Sequence, residues 1–112
     1  MKRKLFKNYQ YNFDKNEKKV LANFCKQATK QMMGNDQFRK DIISFNSILD
    51  KLSTDDEVVK LTKDEKTRLV LQLKENTKFL KKKMDGSWFL IRWFYKSVYN
   101  QYINLLTNHF SD

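Results

Sequence analysis

The chain has 112 residues, of which 23 are Lys or Arg and 13 are Asp or Glu, so its formal net charge is +10. It contains two glycines and no proline, too few turn residues for a fold built from many short strands, so an all-β architecture is disfavoured. With 40% apolar residues, a chain of this length can form one modest core. We therefore expect a single, mainly helical domain.

The first predicted elements are a short strand and a helix. The run Tyr9–Phe13 alternates aromatic and polar residues, which is the period of a β-strand. Asp14 then stands where a helix N-cap is expected, and Glu17 three residues later brings the pattern close to a capping box. The first helix is predicted to reach Met33 and to end at Gly34, since glycine readily adopts the left-handed conformation that closes a helix.

Asn35 or Asp36 is predicted to cap the second helix, which ends near Leu52. Its apolar residues are spaced three and four apart, as in a helix that packs against other helices. An acidic linker, residues 53–56, and a short β-type run, residues 57–61, come next. The apolar seam consists of Phe38, Ile42, Phe45, Leu49 and Leu52, and Ile43 and Ile48 widen it.

Two further helices complete the predicted fold. Thr62 and Glu65 form a second capping box, which opens a third helix that is expected to reach Met84. Ser87 can cap a fourth helix, which covers residues 88 to about 110. The predicted core consists of Leu21, Phe24, Ile42, Phe45, Leu49, Leu69, Leu73, Leu80, Ile91, Val98 and Tyr102.

Two parts of the sequence, 48 residues apart, resemble each other. Residues 13–18 align with residues 61–66, and residues 26–30 align with residues 74–78. Each copy follows a β-type run and continues into a second apolar-seamed helix. We therefore predict a bundle-like arrangement of two helical hairpins, in which residues 9–52 and 57–110 form two strand–helix–helix units and the two strands are able to pair. A chance likeness between two Lys-rich helices is the alternative.

Residues that carry catalytic chemistry are scarce. Cys25 is the single cysteine and His109 the single histidine, and no Gly-rich phosphate loop or metal-ligand spacing occurs. We expect Cys25 to be a buried structural thiol and His109 to be a structural residue at a helix end. We predict a cytoplasmic protein that is not an enzyme, with no cofactor, no metal site, no small-molecule substrate and no membrane span.

An aromatic surface on the fourth helix gives the first functional hypothesis. Phe89 and Trp93 lie on the side opposite the predicted core face, beside Arg92 and Lys96. Exposed aromatic side chains often mark a contact surface. We expect a non-enzymatic regulatory protein, of the kind that phages and mobile elements carry, which binds a partner protein or another copy of itself through these residues. The alternative is that the aromatic N-terminal arm covers them.

Lysine stripes on the first and third helices give the second hypothesis. They lie opposite the apolar faces and, together with the basic arm at residues 1–8, are able to contact phosphates. The protein is then a nucleic-acid-binding protein. Alternatively, the stripes are only the solvated faces of amphipathic helices. The residues concerned are Lys2, Arg3, Lys4, Lys7, Lys19, Lys26, Lys30, Lys74, Lys78, Lys81 and Lys82.

Overall fold

The chain folds mainly into helices, and two short strands form a small sheet. The computed structural model describes residues 9–86 and 89–110, and at residues 89–91 it describes only the backbone. The elements are β1 (Tyr9–Tyr11), α1 (Lys15–Met32), a 3-10 turn (Asp36–Phe38), α2 (Arg39–Leu52), β2 (Val59–Leu61), α3 (Lys63–Asp85) and α4 (Phe89–His109). The prediction of a mainly helical fold is confirmed.

The two strands pair antiparallel. Tyr9 lies opposite Leu61, and Tyr11 lies opposite Val59. Val59 and Leu61 are buried whereas Lys60 between them is exposed, so β2 presents one apolar face to the core. The predicted pairing is confirmed, although each strand has three residues and is shorter than its β-type run. Such a short sheet depends on the packing of this buried face.

The predicted helix ends follow from local hydrogen bonds. Asp14 Oδ1 accepts from the Glu17 N–H at 2.7 Å, and Glu17 Oε1 accepts from the Asp14 N–H at 3.0 Å. Thr62 Oγ1 and Glu65 Oε1 form the same reciprocal pair, at 3.1 and 2.9 Å, in the first turn of α3. Gly34 follows α1 with φ at 85°, where a side chain would be strained. Both predicted capping boxes are confirmed.

Helix α1 packs against α2. The ring of Phe24 meets the ring of Phe45 edge to face, with 6.5 Å between the ring centres, a favourable aromatic geometry. Leu21 and Cys25 are fully buried on α1. Lys18 Nζ donates to the backbone oxygens of Thr54 and Asp56, at 3.3 and 2.8 Å. These bonds hold the linker, residues 53–56, against α1.

The buried stripe of α2 differs from the predicted seam. Ser44, Phe45, Ile48 and Leu52 are buried, whereas Ile43 is 62% exposed. The predicted seam residues Ile42 and Leu49 are only half-buried. The cause lies in the first turn of α3, where the carboxylates of Asp64 and Glu65 accept hydrogen bonds from Ser44 and Ser47. Because of these bonds the polar edge of α2 faces the interior, and Ile48 beside it is buried as well.

The chain divides into two compact units, Met1–Arg68 and Leu69–Asp112, and the division falls within α3. In the second unit Leu69, Leu73 and Leu80 are buried as predicted, and α4 contributes Leu105 and Phe110 to the buried set. The predicted core residues of α4 are less buried than expected, because this helix buries its side chains mainly near its C-terminal end. Val98 and Tyr102 are half-buried, and the side chain of Ile91 lies outside the described part of the chain.

Candidate functional site

Two neighbouring aromatic side chains on α4 are exposed to water. Trp93 is 73% exposed and Phe94 is 62% exposed. They border an open groove of about 510 Å³ whose remaining described lining is polar. We call this region the α4 aromatic surface, and its residues are Trp93, Phe94, Lys96, Ser97 and Asn100.

The α4 aromatic surface contains two of the features that sequence reasoning predicted. Trp93 lies away from the core, and Lys96 lies beside it in the groove lining. Phe94, at the edge of the apolar face of α4, is also mostly exposed. The side chain of Phe89 lies outside the described part of the chain. Because Trp93 is 73% exposed, most of its indole is uncovered.

The positive charge of α4 lies in its N-terminal half. Residues 89–109 contain no Asp or Glu, and Arg92 and Lys96 are their only Lys or Arg residues. The Arg92 Nε donates to the Met84 carbonyl at 3.2 Å. That carbonyl belongs to the last turn of α3, where backbone acceptors lack helical partners. Arg92 therefore stabilises the connection between α3 and α4 as well as adding charge next to Trp93.

The lysines of the second hypothesis lie on the surface wherever the structure describes them. Lys81 pairs with Asp85 at 3.8 Å, within α3. Lys2, Arg3, Lys4 and Lys7 lie outside the described residues. The exposed lysines are Lys19, Lys26 and Lys30 on α1 and Lys74, Lys78, Lys81 and Lys82 on α3.

Sequence reasoning missed a polar cluster between α2 and the first turns of α3. Its centre is Glu65, only 6% exposed. One carboxylate oxygen of Glu65 accepts from Lys51 Nζ at 2.6 Å and from the Thr62 N–H, and the other accepts from the Ser47 hydroxyl. The sequence alone identifies Glu65 only as a helix-cap residue. The single sequence feature that indicates a polar edge on α2 is the spacing of seven residues, two helical turns, between Ser44 and Lys51.

A second branch of this cluster is organised by Arg68. Its guanidinium contacts Asp41 of α2 at 2.7 Å and Asp64 of α3 at 3.0 Å. Ser44 also donates to Asp64 at 3.1 Å. The contacts join α2 to the start of α3 by charge-assisted hydrogen bonds, which are stronger than those between neutral groups. We name the whole set the α2–α3 polar cluster: Asp41, Ser44, Ser47, Lys51, Asp64, Glu65 and Arg68.

Because of this cluster, we expect the free energy of unfolding to decrease at acidic pH. Burial of Glu65 would raise its pKa, but hydrogen bonds from Lys51, Ser47 and Thr62 outweigh burial, so its pKa lies below the usual value. The hydrogen bond from Arg68 likewise lowers the pKa of Asp64. Because both pKa values are lower in the folded state, the ionised carboxylates stabilise folding above the ordinary carboxyl pKa, and this contribution is lost as the pH falls through the folded pKa values.

We therefore expect the urea midpoint to decrease as the pH is lowered from about 6 to about 3, with a smaller decrease in Glu65→Gln. The variant isolates the contribution of Glu65 from the general repulsion of a chain with a +10 charge. Equal pH dependence in the two proteins would show that Glu65 has the same pKa in the folded and unfolded chains.

Cys25 has the properties of a structural thiol. It is fully buried in α1, and burial raises its pKa to about 12. Since the thiolate is the reactive form, we expect no reaction with a thiol-specific disulfide reagent in native buffer and complete reaction in urea. Rapid labelling of the folded chain would contradict this placement of Cys25.

The described residues were also searched for a metal site and for a membrane-spanning helix. No three His, Cys, Asp or Glu side chains among them lie close enough together to hold a metal ion. His109 is half-buried at the end of α4 and its ring meets that of Phe110, with 6.3 Å between the centres. None of the helices in this part of the chain combines the length and the apolar character needed to cross a bilayer.

Comparison with protein-family models, with curated proteins and with solved structures gives no match to this chain.

Proposed function

We propose that this chain is a non-enzymatic binding protein that recognises another protein through the α4 aromatic surface. The exposure of Trp93 and Phe94, two adjacent large aromatic side chains, carries the proposal. Covering most of both side chains removes on the order of 250 Å² of apolar area from water. At about 25 cal/mol per Å², that burial supplies roughly 6 kcal/mol before the costs of association are subtracted.

The composition of this surface fits a protein interface. Tryptophan and other aromatic residues are enriched at the energetic centres of protein interfaces, where a polar rim surrounds them. Here Lys96, Ser97 and Asn100 provide polar groups next to the two rings. Among the described residues that line it, Lys96 is the one charged side chain.

Affinity capture tests the proposal with a double variant, Trp93→Ser with Phe94→Ser. We expect the wild-type chain to retain a partner from cells that produce it and the double variant to lose that partner, with unchanged circular dichroism. Phe79→Ser is the matched control, because Phe79 is a 56% exposed aromatic residue on α3 of the same unit and should not affect capture. Equal capture by the double variant would contradict the proposal.

A nucleic-acid function remains the second candidate, favoured by the exposed row Lys19, Lys26 and Lys30 on α1. Among the described residues no ion pair neutralises these three lysines. If they contact phosphates, a gel-shift affinity should fall steeply between about 50 and 200 mM salt. Replacing all three with Gln should flatten this dependence. No binding to DNA or RNA at the lower salt concentration would remove this candidate.

We also propose that the two predicted strand–helix–helix units are copies of one sequence, within the predicted four-helix arrangement. The register of the sheet supports this. Tyr11 lies opposite Val59, which is its own equivalent at the offset of 48 residues. A local twofold axis between two copies requires a pair of this kind, and a shift of one residue would remove it.

Further support comes from the two longer helices that follow the strands. Both begin with a capping box at equivalent positions. Thr29 donates to the Lys26 carbonyl at 3.0 Å, and Thr77 donates to the Lys74 carbonyl at 2.8 Å, again at the same offset. Buried side chains coincide at three equivalent pairs: Leu21 with Leu69, Cys25 with Leu73, and Met32 with Leu80.

Exchange of the cap segment tests the equivalence of the copies. Phe13→Leu, Asp14→Thr and Asn16→Asp together convert residues 13–18 into the sequence of residues 61–66. We expect cooperative urea unfolding with a loss below about 2 kcal/mol, because Thr also caps helices and Leu is smaller than Phe by only a few carbon atoms. Loss of cooperative unfolding would contradict the equivalence.

A further inference from the structure

We propose that the α4 aromatic surface binds a second copy of this chain, through an antiparallel pairing of two α4 helices about a twofold axis at Asn100. This inference rests on the proposed function and names the partner in it. Its starting point is the exposed side of α4 beyond Lys96, where the side chains in contact with water are polar and carry no charge.

This exposed side of α4 is unusual for the chain. Residues 97–108 contain no Asp, Glu, Lys or Arg, although 32% of the whole chain is charged. Charged side chains are depleted at the centres of protein interfaces, whereas a surface that stays in water usually carries them. We call this stripe the uncharged face of α4, and its exposed residues are Ser97, Asn100, Gln101, Asn104, Thr107 and Asn108.

The other helices expose charged side chains instead. The lysine row of α1 is exposed, and α2 exposes Arg39 and Lys40. On α3, which is continuous with the unit that contains α4, the exposed row consists of Lys74, Lys78, Lys81 and Lys82. Two copies that met through such rows would place lysine against lysine, and like charges at an interface are costly. Among the helices of the described chain, the uncharged face of α4 lets two copies approach without this repulsion.

Trp93 begins the same stripe. Ser97, Asn100, Asn104 and Thr107 follow it at steps of four and three residues, which is the spacing of a helix side that packs along another helix. A 73% exposed indole therefore leads a row of small and amide side chains. In an antiparallel pair centred on Asn100, each indole lies level with Thr107 of the second copy, where a small side chain leaves room for it.

Asn100 and Lys96 favour the antiparallel arrangement. An Asn amide both donates and accepts hydrogen bonds, so two Asn100 side chains that meet on the axis can bond to each other, and a single Asn in a helix seam fixes register. With a rise of 1.5 Å per residue, the Lys96 positions of the two copies are about 12 Å apart along the helices. That separation exceeds the Debye length of about 8 Å at physiological salt, whereas a parallel pair would bring the two lysines together.

Other occupants gain less from this surface. A nucleic acid or an anionic membrane binds through rows of cations, and Lys96 is the one charged side chain among the described residues that line the groove. A protein of opposite charge finds no charge to complement on the uncharged face of α4. A second copy, in contrast, offers the same amides and hydroxyls, so that donors and acceptors match in number.

Sedimentation equilibrium on the full chain tests the inference. We expect a reversible monomer–dimer equilibrium for the wild-type chain and for Phe79→Ser, and a monomer for the Trp93→Ser, Phe94→Ser double variant. Asn100→Lys should weaken dimerisation at least tenfold, because two like charges then meet on the axis. Asn23→Lys is the matched control, since it adds the same charge at an exposed position of α1 and should leave dimerisation nearly unchanged. Circular dichroism checks that each variant folds.

Cysteine cross-linking reports the orientation of the two helices. In Asn100→Cys the two thiols meet on the axis, so oxidation with diamide should yield a covalent dimer. In Ser97→Cys the two cysteines are about 9 Å apart along the helices, farther than a disulfide spans, and should cross-link much less. Cys25 does not interfere, because it is fully buried. Equal cross-linking of the two variants would contradict an antiparallel pair centred on Asn100.

The outcomes separate this inference from the proposed function. A wild-type chain that stays monomeric at every accessible concentration would overturn the inference. The proposed function would stand in that case if affinity capture retains a different protein that the double variant loses. A dimer that persists in the double variant and in Asn100→Lys uses another face, so the inference would again be wrong.

The wild-type chain and the double variant are also compared for binding to phosphatidylcholine vesicles with added phosphatidylserine and to an oligothymidylate. We expect no difference between the two proteins. If either ligand is bound only by the wild-type chain, the α4 aromatic surface recognises a lipid or a nucleic acid, and the inference of a second copy is overturned.

Discussion

Replacement of Phe45 by alanine should lower the free energy of unfolding by about 4 kcal/mol. The Phe45 ring is fully buried on α2 and meets the Phe24 ring of α1 edge to face. Alanine removes both the buried apolar area and this aromatic contact, and the surrounding side chains relax only in part. Urea unfolding followed by circular dichroism measures the loss, which is a large fraction of the stability of a small domain.

Ile43→Ala is the matched control for Phe45→Ala, because it shortens an apolar side chain only two positions away on the same helix. Ile43 is 62% exposed, so the change should stay within about 0.5 kcal/mol. The pair reports which side of α2 faces the core. A larger loss for Ile43→Ala than for Phe45→Ala would mean that α2 is rotated from the position described.

Glu65→Ala should cost about 3 kcal/mol, the second-largest expected effect. The substitution removes a carboxylate that accepts from Lys51, Ser47 and Thr62. Removal of one partner of a buried ion pair leaves the other charge without compensation, which is more costly than losing a surface pair. Because Lys51 is 32% exposed and water can solvate part of its charge, we place the loss at the lower end of the usual range. Urea unfolding near pH 7 provides the measurement.

Glu17→Ala provides the comparison, because Glu17 holds the equivalent place in the capping box of α1. Its cap hydrogen bonds with Asp14 are exposed to solvent, and we expect a loss of about 1 kcal/mol. The two variants compare the nearly buried glutamate that contacts α2 with the more exposed glutamate at the equivalent position of α1. A loss for Glu65→Ala no larger than the loss for Glu17→Ala would contradict the expected contribution of Lys51 and Ser47.

The local elements of this fold could be predicted from sequence because their causes are local. The capping boxes need two side chains three residues apart, and Gly34 follows α1 with the positive φ that glycine tolerates. The pairing of β1 with β2 could also be anticipated, since two short β-type runs in a helical chain have few other partners.

The orientation of α2 could not be predicted in the same way. Its apolar spacing fits a seam centred on Ile42 and Leu49, but these two residues are only half-buried and the polar Ser44 is buried in their place. The difference arises from hydrogen bonds to Asp64 and Glu65, about 20 residues away in the sequence. A hydrophobic pattern records which side chains are apolar, and it does not show which polar side chains acquire a partner from a distant helix.

The candidate site was only partly predictable for a related reason. The exposure of Trp93 follows from its place opposite the apolar face of α4 and next to Arg92 and Lys96. Phe94 lies at the edge of that face, where periodicity leaves its burial undecided, and the bond from Arg92 to the Met84 carbonyl depends on how α4 follows α3.

Fluorescence of Trp93 most directly tests the claim that the α4 aromatic surface is a binding site. Trp88→Phe leaves Trp93 as the single tryptophan, and circular dichroism checks that this variant folds. The account predicts red-shifted emission that acrylamide quenches efficiently in the free protein, and a blue shift with protection from acrylamide when a partner protein retained by affinity capture is added. Emission already shielded in the free protein, or quenching that the bound partner leaves unchanged, would contradict it.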